Sequence, residues 1–225
     1  MPEPTKAQIE EVECSCLNMV VRAIRDYHEK AVTIFREETD LVNDIAEDIT
    51  REALDALGIS RVHLRLYGKI DYKRAAIMFL PEREIEVALM IDSKAEKDGN
   101  TATLQMSQTS MEVRQLRGGE SMVVKGILPP FIVSSGHRMQ TVTIIVKYIY
   151  EDLPFGSTLK LIKIACIPNG IFQEDYNPTE TDTIWKVGRN APSLGEEFRV
   201  RLSFAELQRR APWRVISIGT GESGI

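Results

Sequence analysis

Two different hydrophobic rhythms divide the chain near residue 58. Over residues 6–37 apolar side chains recur at steps of three and four, which predicts one long amphipathic helix. The same spacing predicts a second helix over residues 40–57, with Asp40 as its N-cap and Gly58 as its C-terminal stop. After Gly58 the apolar residues form short runs rich in β-branched side chains, which favour strands. The chain is therefore expected to begin with helices and to continue as a β-rich unit.

Four apolar runs in this second part predict strands. Residues 141–150 and 159–167 are the clearest, and a turn at residues 154–156 separates them. Residues 62–70 and 85–91 are two further strand candidates, divided by a turn that contains Pro81. The first two runs are expected to form the centre of a β-sheet, and the other two are expected to be strands of the same sheet.

The remaining segments complete the predicted fold. Residues 101–116 are expected to form a helix, with Gln105 and Gln108 facing the sheet or a ligand, and residues 122–128 a short strand. Residues 196–204 alternate between polar and apolar positions, and a short helix is expected over 204–210. The fold class predicted is therefore α/β, with a mixed central β-sheet flanked by helices.

Composition indicates an ordinary globular protein. A chain of 225 residues with 43% hydrophobic and 27% charged side chains is long enough for one well-buried domain. No apolar run is long enough to span a bilayer, and the N-terminal residues lack an apolar signal core. The three cysteines show no C-x-x-C spacing, so free thiols in a reducing cytoplasm are expected. We expect a cytoplasmic, single-domain protein without a membrane segment.

The net charge of −5 is unevenly distributed. Residues 1–60 carry 14 acidic and 6 basic side chains, whereas the rest of the chain carries 19 acidic and 22 basic ones. A protein that binds DNA needs a locally positive surface, not a basic whole. The predicted β-rich part is therefore compatible with nucleic-acid binding.

The segment around residues 71–94 carries the candidate chemistry. Asp71 and Asp92 are separated by twenty residues, and Asp92 follows an apolar strand. If the flanking strands lie side by side, the two carboxylates meet and repel unless a hard cation such as Mg²⁺ lies between them. Lys94 points to the same face as Asp92, since strand side chains repeat every second residue. Two metal ligands beside a cation suit phosphodiester cleavage, although solvated charges at a strand end would give the same pattern.

Other candidates have a structural alternative as well. Glu47 and Asp48 lie off the apolar stripe of the second helix, either as a solvated acidic face or as a third carboxylate at the metal site. Arg199 and Arg201 fall on one face of an alternating segment. Arginines on a β-ribbon bond bidentately to guanine in the major groove, but an exposed, solubilising pair has the same spacing.

The chain contains an ordered set of short motifs. They are A-E-D-I-T (46–50), I-D-Y-K-R (70–74), D-x-K-A (92–95), T-L-Q-x-S-Q (103–108), Y-N-P (176–178), G-E-x-x-R-x-R (195–201) and P-W-R (212–214). In their order and nearly in their gaps, these motifs resemble the SfiI family of Type II restriction endonucleases. This family belongs to the PD-(D/E)XK nucleases and is related in architecture to BglI. The resemblance covers roughly residues 7–217.

The resemblance implies roles for the residues of the acidic segment. Asp71 and Asp92 would bind Mg²⁺, with the Ser93 carbonyl as a further ligand. Lys94 would orient or deprotonate the attacking water and steady the charge that develops on phosphorus. Glu47 would support a second metal ion or its water shell.

It also implies a DNA-contacting set. Arg199 and Arg201, with Arg189, match positions that read G·C pairs in the major groove. Asn100 lies in the loop after the catalytic strand, where a minor-groove contact is expected. Helices (about 6–57), a catalytic sheet (about 60–167) and a DNA-recognition region (about 168–214) would then form one endonuclease domain over residues 1–225.

The activity implied is Mg²⁺-dependent hydrolysis of both strands of double-stranded DNA at a palindrome, leaving 5′-phosphates. The target would be interrupted and G·C-rich, with GGCC-type half-sites. A homodimer or homotetramer is expected, because symmetric cleavage requires two active sites. Two other classes remain open at this point: a nuclease of the same fold that acts in repair or on branched DNA, and a non-catalytic DNA-binding protein.

Overall fold

The computed structural model describes residues 3–38, 42–58, 75–80, 85–97, 99–134, 136–188 and 199–219. The predicted strand over residues 62–70, the turn at Pro81 and the N-cap at Asp40 lie outside these ranges. Among the helices described, none is both long enough and apolar enough to cross a membrane.

Three helices form the N-terminal part: α1 (Lys6–Asp26), α2 (His28–Glu37) and α3 (Val42–Ala56). Helix α1 begins where the pattern predicts, because the Thr5 hydroxyl accepts a hydrogen bond from the backbone N–H of Gln8 and closes a capping box. The prediction of a single helix over residues 6–37 is wrong by one interruption. Tyr27 is a turn residue, with φ −95° and ψ 0°, that ends α1 and precedes α2, and its hydroxyl donates to Glu52 on α3.

A mixed six-stranded sheet forms the centre of the molecule. Its main path runs β1-β2-β7-β8-β11, and β6 pairs with β7. Strands β2 and β7 are parallel, whereas the other neighbouring pairs are antiparallel. The strands are β1 (Ala75–Leu80), β2 (Ile85–Glu96), β6 (Phe131–Ser134), β7 (His137–Asp152), β8 (Ser157–Ile167) and β11 (Val215–Gly219). The predicted mixed sheet flanked by helices is confirmed, with β7 and β8 at its centre.

Two smaller sheets replace part of the predicted helical structure. One has the order β3-β10-β9, and the other is a hairpin of β4 and β5. Their strands are β3 (Thr101–Leu104), β4 (Glu112–Arg117), β5 (Glu120–Lys125), β9 (Trp185–Val187) and β10 (Val200–Ser203). The predicted helix over residues 101–116 is wrong. Gly118 and Gly119 both have positive φ, 63° and 90°, which suits the two-residue turn of a β-hairpin and draws this segment into extended pairing.

Short helices complete the chain. They are α4 (Gln173–Tyr176), the predicted α5 (Phe204–Arg210), and single 3₁₀ turns at Met106–Gln108, Gly170–Phe172 and Pro212–Arg214. The Ser203 hydroxyl caps α5 by accepting from the backbone N–H of Glu206.

The two faces of the central sheet are covered differently. On one face, alternate residues of β2 and β7, such as Leu89 and Val146, pack against α1, α2 and α3. On the other face, Ile145 packs among residues of the β3-β10-β9 sheet such as Leu202 and Trp185. The apolar stripe of α1 is buried inside the chain itself, so this stripe is not a surface for a second subunit.

A buried ion pair ties α1 to the C-terminal part. Glu13 and Arg214 are both 0% exposed, and a guanidinium N–H of Arg214 donates to Oε2 of Glu13 at 2.6 Å. The second carboxylate oxygen accepts from the backbone N–H of Asn169 at 2.7 Å, and Nε of Arg214 donates to the Tyr176 hydroxyl at 2.7 Å. Burial raises the pKa of Glu13, and the Arg214 guanidinium opposes that rise. The pair thus depends on both partners being present.

Arg214→Met is expected to lower the free energy of unfolding by about 3–5 kcal/mol, because Glu13 would remain buried without its cation. Urea denaturation measures this loss. The control is Arg22→Met, since the Arg22–Asp26 contact at 3.7 Å joins exposed side chains and is worth at most about 1 kcal/mol. Equal effects of the two substitutions would contradict the role given to the buried pair.

Candidate active site and nucleic-acid interface

The polar half of β2 contains the predicted Asp-x-Lys pair. Residues 87–91 of this strand are buried, and the chain then turns polar at Asp92 without leaving the sheet. Nζ of Lys94 lies 2.8 Å from Oδ2 of Asp92, and the two side chains are only 24% and 21% exposed. The prediction that these side chains share a face is confirmed. They lie on the face opposite the three N-terminal helices, since Leu89 and Ile91 pack on the helical side.

Electrostatics distinguish Asp92 from a solvated strand-end carboxylate. Burial is the main cause that raises its pKa above the ordinary value, and the nearby charge of Glu47 raises it further. Lys94 and a hydrogen bond from Gln108 act in the opposite direction. The site therefore holds a largely buried carboxylate that is paired with a cation and lies within electrostatic range of the Glu47 carboxylate, an arrangement that favours a bound positive ion.

A chain of hydroxyl groups fixes α3 against β2 and β7. Thr50 is fully buried, and its Oγ1 accepts from Ser93 at 2.8 Å, lies 2.9 Å from the Tyr148 hydroxyl and bonds the Ala46 carbonyl at 3.0 Å. Glu47 lies three residues before Thr50 on the same side of α3. The hydroxyl chain thereby sets the position of Glu47 relative to β2.

The second predicted metal-binding carboxylate is Asp71. Asp71 lies outside the described residues. Within the ranges that are described, no group of three or more His, Cys, Asp or Glu side chains is close enough to hold a metal ion. Of the predicted set, the structure brings Asp92 and Lys94 into contact, and Glu47 on α3 lies near enough for its charge to raise the pKa of Asp92.

The predicted recognition arginines lie on and beside β10. Arg201 is paired with Thr103 on β3 and with Lys186 on β9, so these three side chains share one face. Val200 and Leu202 alternate with them and are fully buried, which leaves Arg199 and Arg201 on the outer side. The predicted common face of the two arginines is confirmed, whereas Arg189 lies outside the described residues.

The backbone beneath Arg199 is held from two sides. The Gly188 N–H donates to the Arg199 carbonyl at 3.0 Å, and a guanidinium N–H of Arg117 donates to the same carbonyl at 3.1 Å. Arg117 also donates to the Gly188 carbonyl at 3.2 Å. A Cβ atom on Gly188 would lie 2.2 Å from the Arg199 oxygen, so only glycine allows this approach. The clamp by Arg117 fixes the start of β10.

Asn100 lies between the two groups of candidate residues. It is exposed, follows the end of β2 and precedes β3, and its carbonyl accepts the backbone N–H of Phe204 at 3.1 Å. The Asn100 backbone is therefore fixed between the end of β2 and the start of the β3-β10-β9 sheet.

The sequence patterns missed residues that support the site from behind. The role of Thr50 could not be predicted, because a threonine on a helix ordinarily bonds only the helix backbone. The role of Arg117 could not be predicted, because its acceptors lie about seventy and eighty residues away in the sequence. The signal available for Thr50 was its spacing of three residues from Glu47. Gln108 was predicted to face the sheet or a ligand, and it does so from a 3₁₀ turn instead of a helix.

Comparison with known proteins matches this geometry to one family. The family model described as Type II restriction enzyme SfiI matches residues 8–218. The Type II restriction enzyme SfiI of Streptomyces fimbriatus is 30% identical over 223 residues, which cover 92% of this chain and 83% of that enzyme. The chain belongs to the SfiI family of Type II restriction enzymes.

Solved structures agree with this family assignment. The crystal structure of tetrameric restriction endonuclease SfiI bound to cognate DNA has a TM-score of 0.86 and 28% sequence identity, covering 99% of this chain and 88% of that chain. BglI bound to its DNA recognition sequence has a TM-score of 0.74 and 18% identity, covering 94% and 91%; this second likeness shows the shared fold. Because the chain belongs to the SfiI family, it is a site-specific deoxyribonuclease, not a repair nuclease or a non-catalytic DNA-binding protein.

In this SfiI-family enzyme, Thr50→Val is expected to lower the free energy of unfolding by about 1–2 kcal/mol, because Ser93 and Tyr148 lose their common buried partner. Urea denaturation measures the change. Thr33→Val is a matched control, since Thr33 also bonds the carbonyl four residues earlier, at 3.1 Å, but is exposed on α2. A loss no larger than that of the control would show that the hydroxyl chain contributes nothing.

Proposed function

We propose that this SfiI-family enzyme hydrolyses both strands of double-stranded DNA at a palindromic sequence, uses Mg²⁺ and leaves 5′-phosphates. The observation that carries the proposal is the largely buried Asp92–Lys94 pair, 2.8 Å apart, on the face of the central sheet against which the β3-β10-β9 sheet packs. A carboxylate and an ammonium held together beside a DNA-contacting sheet suit phosphodiester hydrolysis.

The residues present fit Mg²⁺ by the chemistry of their donor atoms. Asp92 offers carboxylate oxygens in a partly dry position, and the charge of Glu47 already disfavours a second negative charge there, so a hard divalent cation would relieve the repulsion. Asp92 would hold the ion, with Asp71, the Ser93 carbonyl and, through its water shell, Glu47. When bound, Mg²⁺ supplies an acidified water and neutralises charge on the phosphate.

The protein groups have separate tasks in the proposed reaction. Lys94 either orients the attacking water as an ammonium or, when neutral, helps to deprotonate it. As an ammonium it also places a positive charge beside the phosphate oxygens, where negative charge develops. Asp92 keeps Lys94 in place through their ion pair. Thr50 holds α3, and therefore Glu47, at a fixed distance from this centre.

Sequence reading is proposed to come from the outer face of the β3-β10-β9 sheet. Arg199 and Arg201, with Arg189, would bond guanine bases in the major groove, while Asn100 would approach the minor groove. The clamp of Arg117 on the Arg199 backbone supports this role, because a base contact requires a fixed strand. By resemblance to the SfiI family, the target is an interrupted G·C-rich palindrome with GGCC-type half-sites and cleavage inside the spacer.

Cleavage of two strands at a palindrome requires two active sites related by a two-fold axis. We therefore propose a homodimer or a homotetramer; the related SfiI was crystallised as a tetramer bound to DNA. The whole chain would form one endonuclease domain, with helices at about residues 6–57, the catalytic sheet at about 60–167 and the recognition region at about 168–214. A cytoplasmic location follows from its proposed substrate.

The direct test is digestion of a large DNA of known sequence with Mg²⁺, followed by sequencing of the fragment ends. The proposal predicts discrete fragments whose ends carry 5′-phosphates and map to one interrupted palindrome. Random ends, or cleavage confined to branched DNA, would refute it.

Asp92→Asn is expected to abolish cleavage at the mapped site while binding to it persists, because the substitution removes metal binding but no DNA contact. Fragment analysis and gel-shift titration measure the two properties. Asp26→Asn, at an exposed position on α1, is the control and should cleave normally. Retained cleavage by the Asp92 variant would refute the assignment of the active site.

Arg201→Ala is expected to weaken binding to the mapped site by about 1–3 kcal/mol and binding to random DNA far less, because a bidentate guanine contact is lost. Competition titrations with the two duplexes give the difference. Arg36→Ala, exposed on α2, should change neither affinity. Equal losses of binding free energy on the two duplexes would show that Arg201 contacts a phosphate and not a base.

A further inference from the structure

Lys147 is a charged residue in the centre of the sheet for which the proposed reaction has no use. It lies on β7 and is fully buried. Its Nζ lies 2.5 Å from Oε2 of Glu96 and donates to the carbonyl oxygen of Thr101. Glu96 is on the same face of β2 as Lys94, two residues farther along. The buried ammonium therefore contacts the catalytic strand and the first residue of β3 together.

The strand register extends this contact into a row. Lys147 is paired with Lys94 on the parallel strand β2 and with Lys163 on the antiparallel strand β8. Like charges on directly opposed residues destabilise a sheet unless each has its own acceptor. Lys94 bonds Asp92 at 2.8 Å, and Lys163 donates to the Gly99 carbonyl at 2.8 Å. The row of lysines thus runs from the proposed active site to the segment that precedes β3.

Three successive carbonyl groups of that segment are each held by a donor from a different element. The pairs are Gly99 with Lys163 Nζ, Asn100 with the backbone N–H of Phe204, and Thr101 with Lys147 Nζ. Since every carbonyl from 99 to 101 is fixed, the backbone that carries Asn100 has little freedom to move on its own.

Phe204 connects the lysines to the recognition strand. It directly follows β10, is 2% exposed, and its ring centroid lies 6.0 Å from Nζ of Lys147 and 5.5 Å from Nζ of Lys163. Both distances are within the range of a cation–π contact. A displacement of β10, on which Arg201 lies, would therefore move the Phe204 ring and change its contacts with both ammonium groups.

We propose that Lys147 is a positioning residue that couples the strand carrying Asp92 and Lys94 to the loop and sheet carrying Asn100 and Arg201. The inference rests on the function proposed above. Glu96 and Thr101 are the two ends of the coupling, and the ammonium group joins them across the β2–β7 pair. When Asn100 and Arg201 contact the correct bases, Lys147 thereby aligns Asp92 and Lys94 for cleavage.

Stability alone does not account for a buried ammonium at this place. Replacement of a buried ion pair by apolar groups of similar volume is often neutral or stabilising. The neighbouring positions Ile145 and Ile149 show that this strand otherwise uses apolar side chains. What an apolar residue would not supply is a directed bond to both Glu96 and Thr101.

The test is Lys147→Met, which keeps the volume and the apolar stem and removes the charge. Binding is measured without metal, and single-turnover cleavage with Mg²⁺ on preformed complexes, using a duplex with the mapped site and one with a single base-pair change. The expected result is a cleavage rate roughly ten- to a hundredfold lower on the mapped site, with its Kd within about threefold of wild type. Lys160→Met is the matched control, because Lys160 pairs with Glu151 at 3.1 Å on the exposed surface of β8.

A purely structural role predicts a different outcome. The variant would then lose thermal stability or the fraction of active enzyme, while bound active molecules would cleave at the wild-type rate; that result, or wild-type cleavage throughout, overturns the inference. If Lys147→Met does not fold, Glu96→Gln keeps the shape and the hydrogen bond but removes the anion, and the same selective loss of rate is expected, in smaller degree.

The two proposals fail in distinguishable ways. Wild-type enzyme that yields no defined sites, or an Asp92→Asn variant that still cleaves, refutes the proposed function and this inference with it. A different result refutes the coupling alone. In that case the wild-type enzyme cleaves at defined sites and the Asp92→Asn variant does not cleave, but the Lys147 and Glu96 variants both cleave and bind like wild type.

Discussion

The parallel pairing of β2 with β7 is the constraint on which the site depends. It runs in unbroken register from Glu86 opposite Met139 to Glu96 opposite Ile149. The first half of β2 is buried between two layers, which requires apolar side chains on both faces. Because the pairing continues beyond this core, the next residues remain extended and alternate strictly. Asp92, Lys94 and Glu96 are therefore delivered to one face without any loop, and their spacing is as rigid as the sheet.

Alternation within a strand is a local property, so features that depend on it alone could be predicted from the sequence. Asp92 and Lys94 share a face, Arg199 and Arg201 share a face, and the strands β7 and β8 have the expected limits within a few residues. The periodicity of α3 likewise places Glu47 off its apolar stripe. That periodicity does not show whether the Glu47 carboxylate faces solvent or lies near Asp92, because the answer depends on how α3 packs on β2.

Contacts between distant parts of the chain were not predictable in this way. Strand β3 pairs with β10, about a hundred residues later, and this pairing, with the turn at Gly118 and Gly119, overrides the helical pattern over residues 101–116. The acceptors of Arg117 are likewise remote. Lys147 does carry a signal in the sequence: one lysine within the run T-V-T-I-I-V-K-Y-I-Y implies a buried counter-charge, but the run does not show which strand provides it.

Two ion pairs with a fully buried cation, both within the described residues, have a common logic. Glu13 with Arg214 joins the first helix to the residues before β11, and Lys147 joins Glu96 on β2 to Thr101 on β3. Each pair lies where elements from distant parts of the sequence meet. An apolar contact at such a junction tolerates sliding, since dispersion and hydrophobic burial have little directionality. Charge-assisted hydrogen bonds lose most of their strength when they are misaligned, so they fix the relative position of the elements that they join. An enzyme that must cleave DNA only after it has bound its recognition sequence needs its structural elements in fixed relative positions. That requirement matters more than the stability that an apolar pair would give.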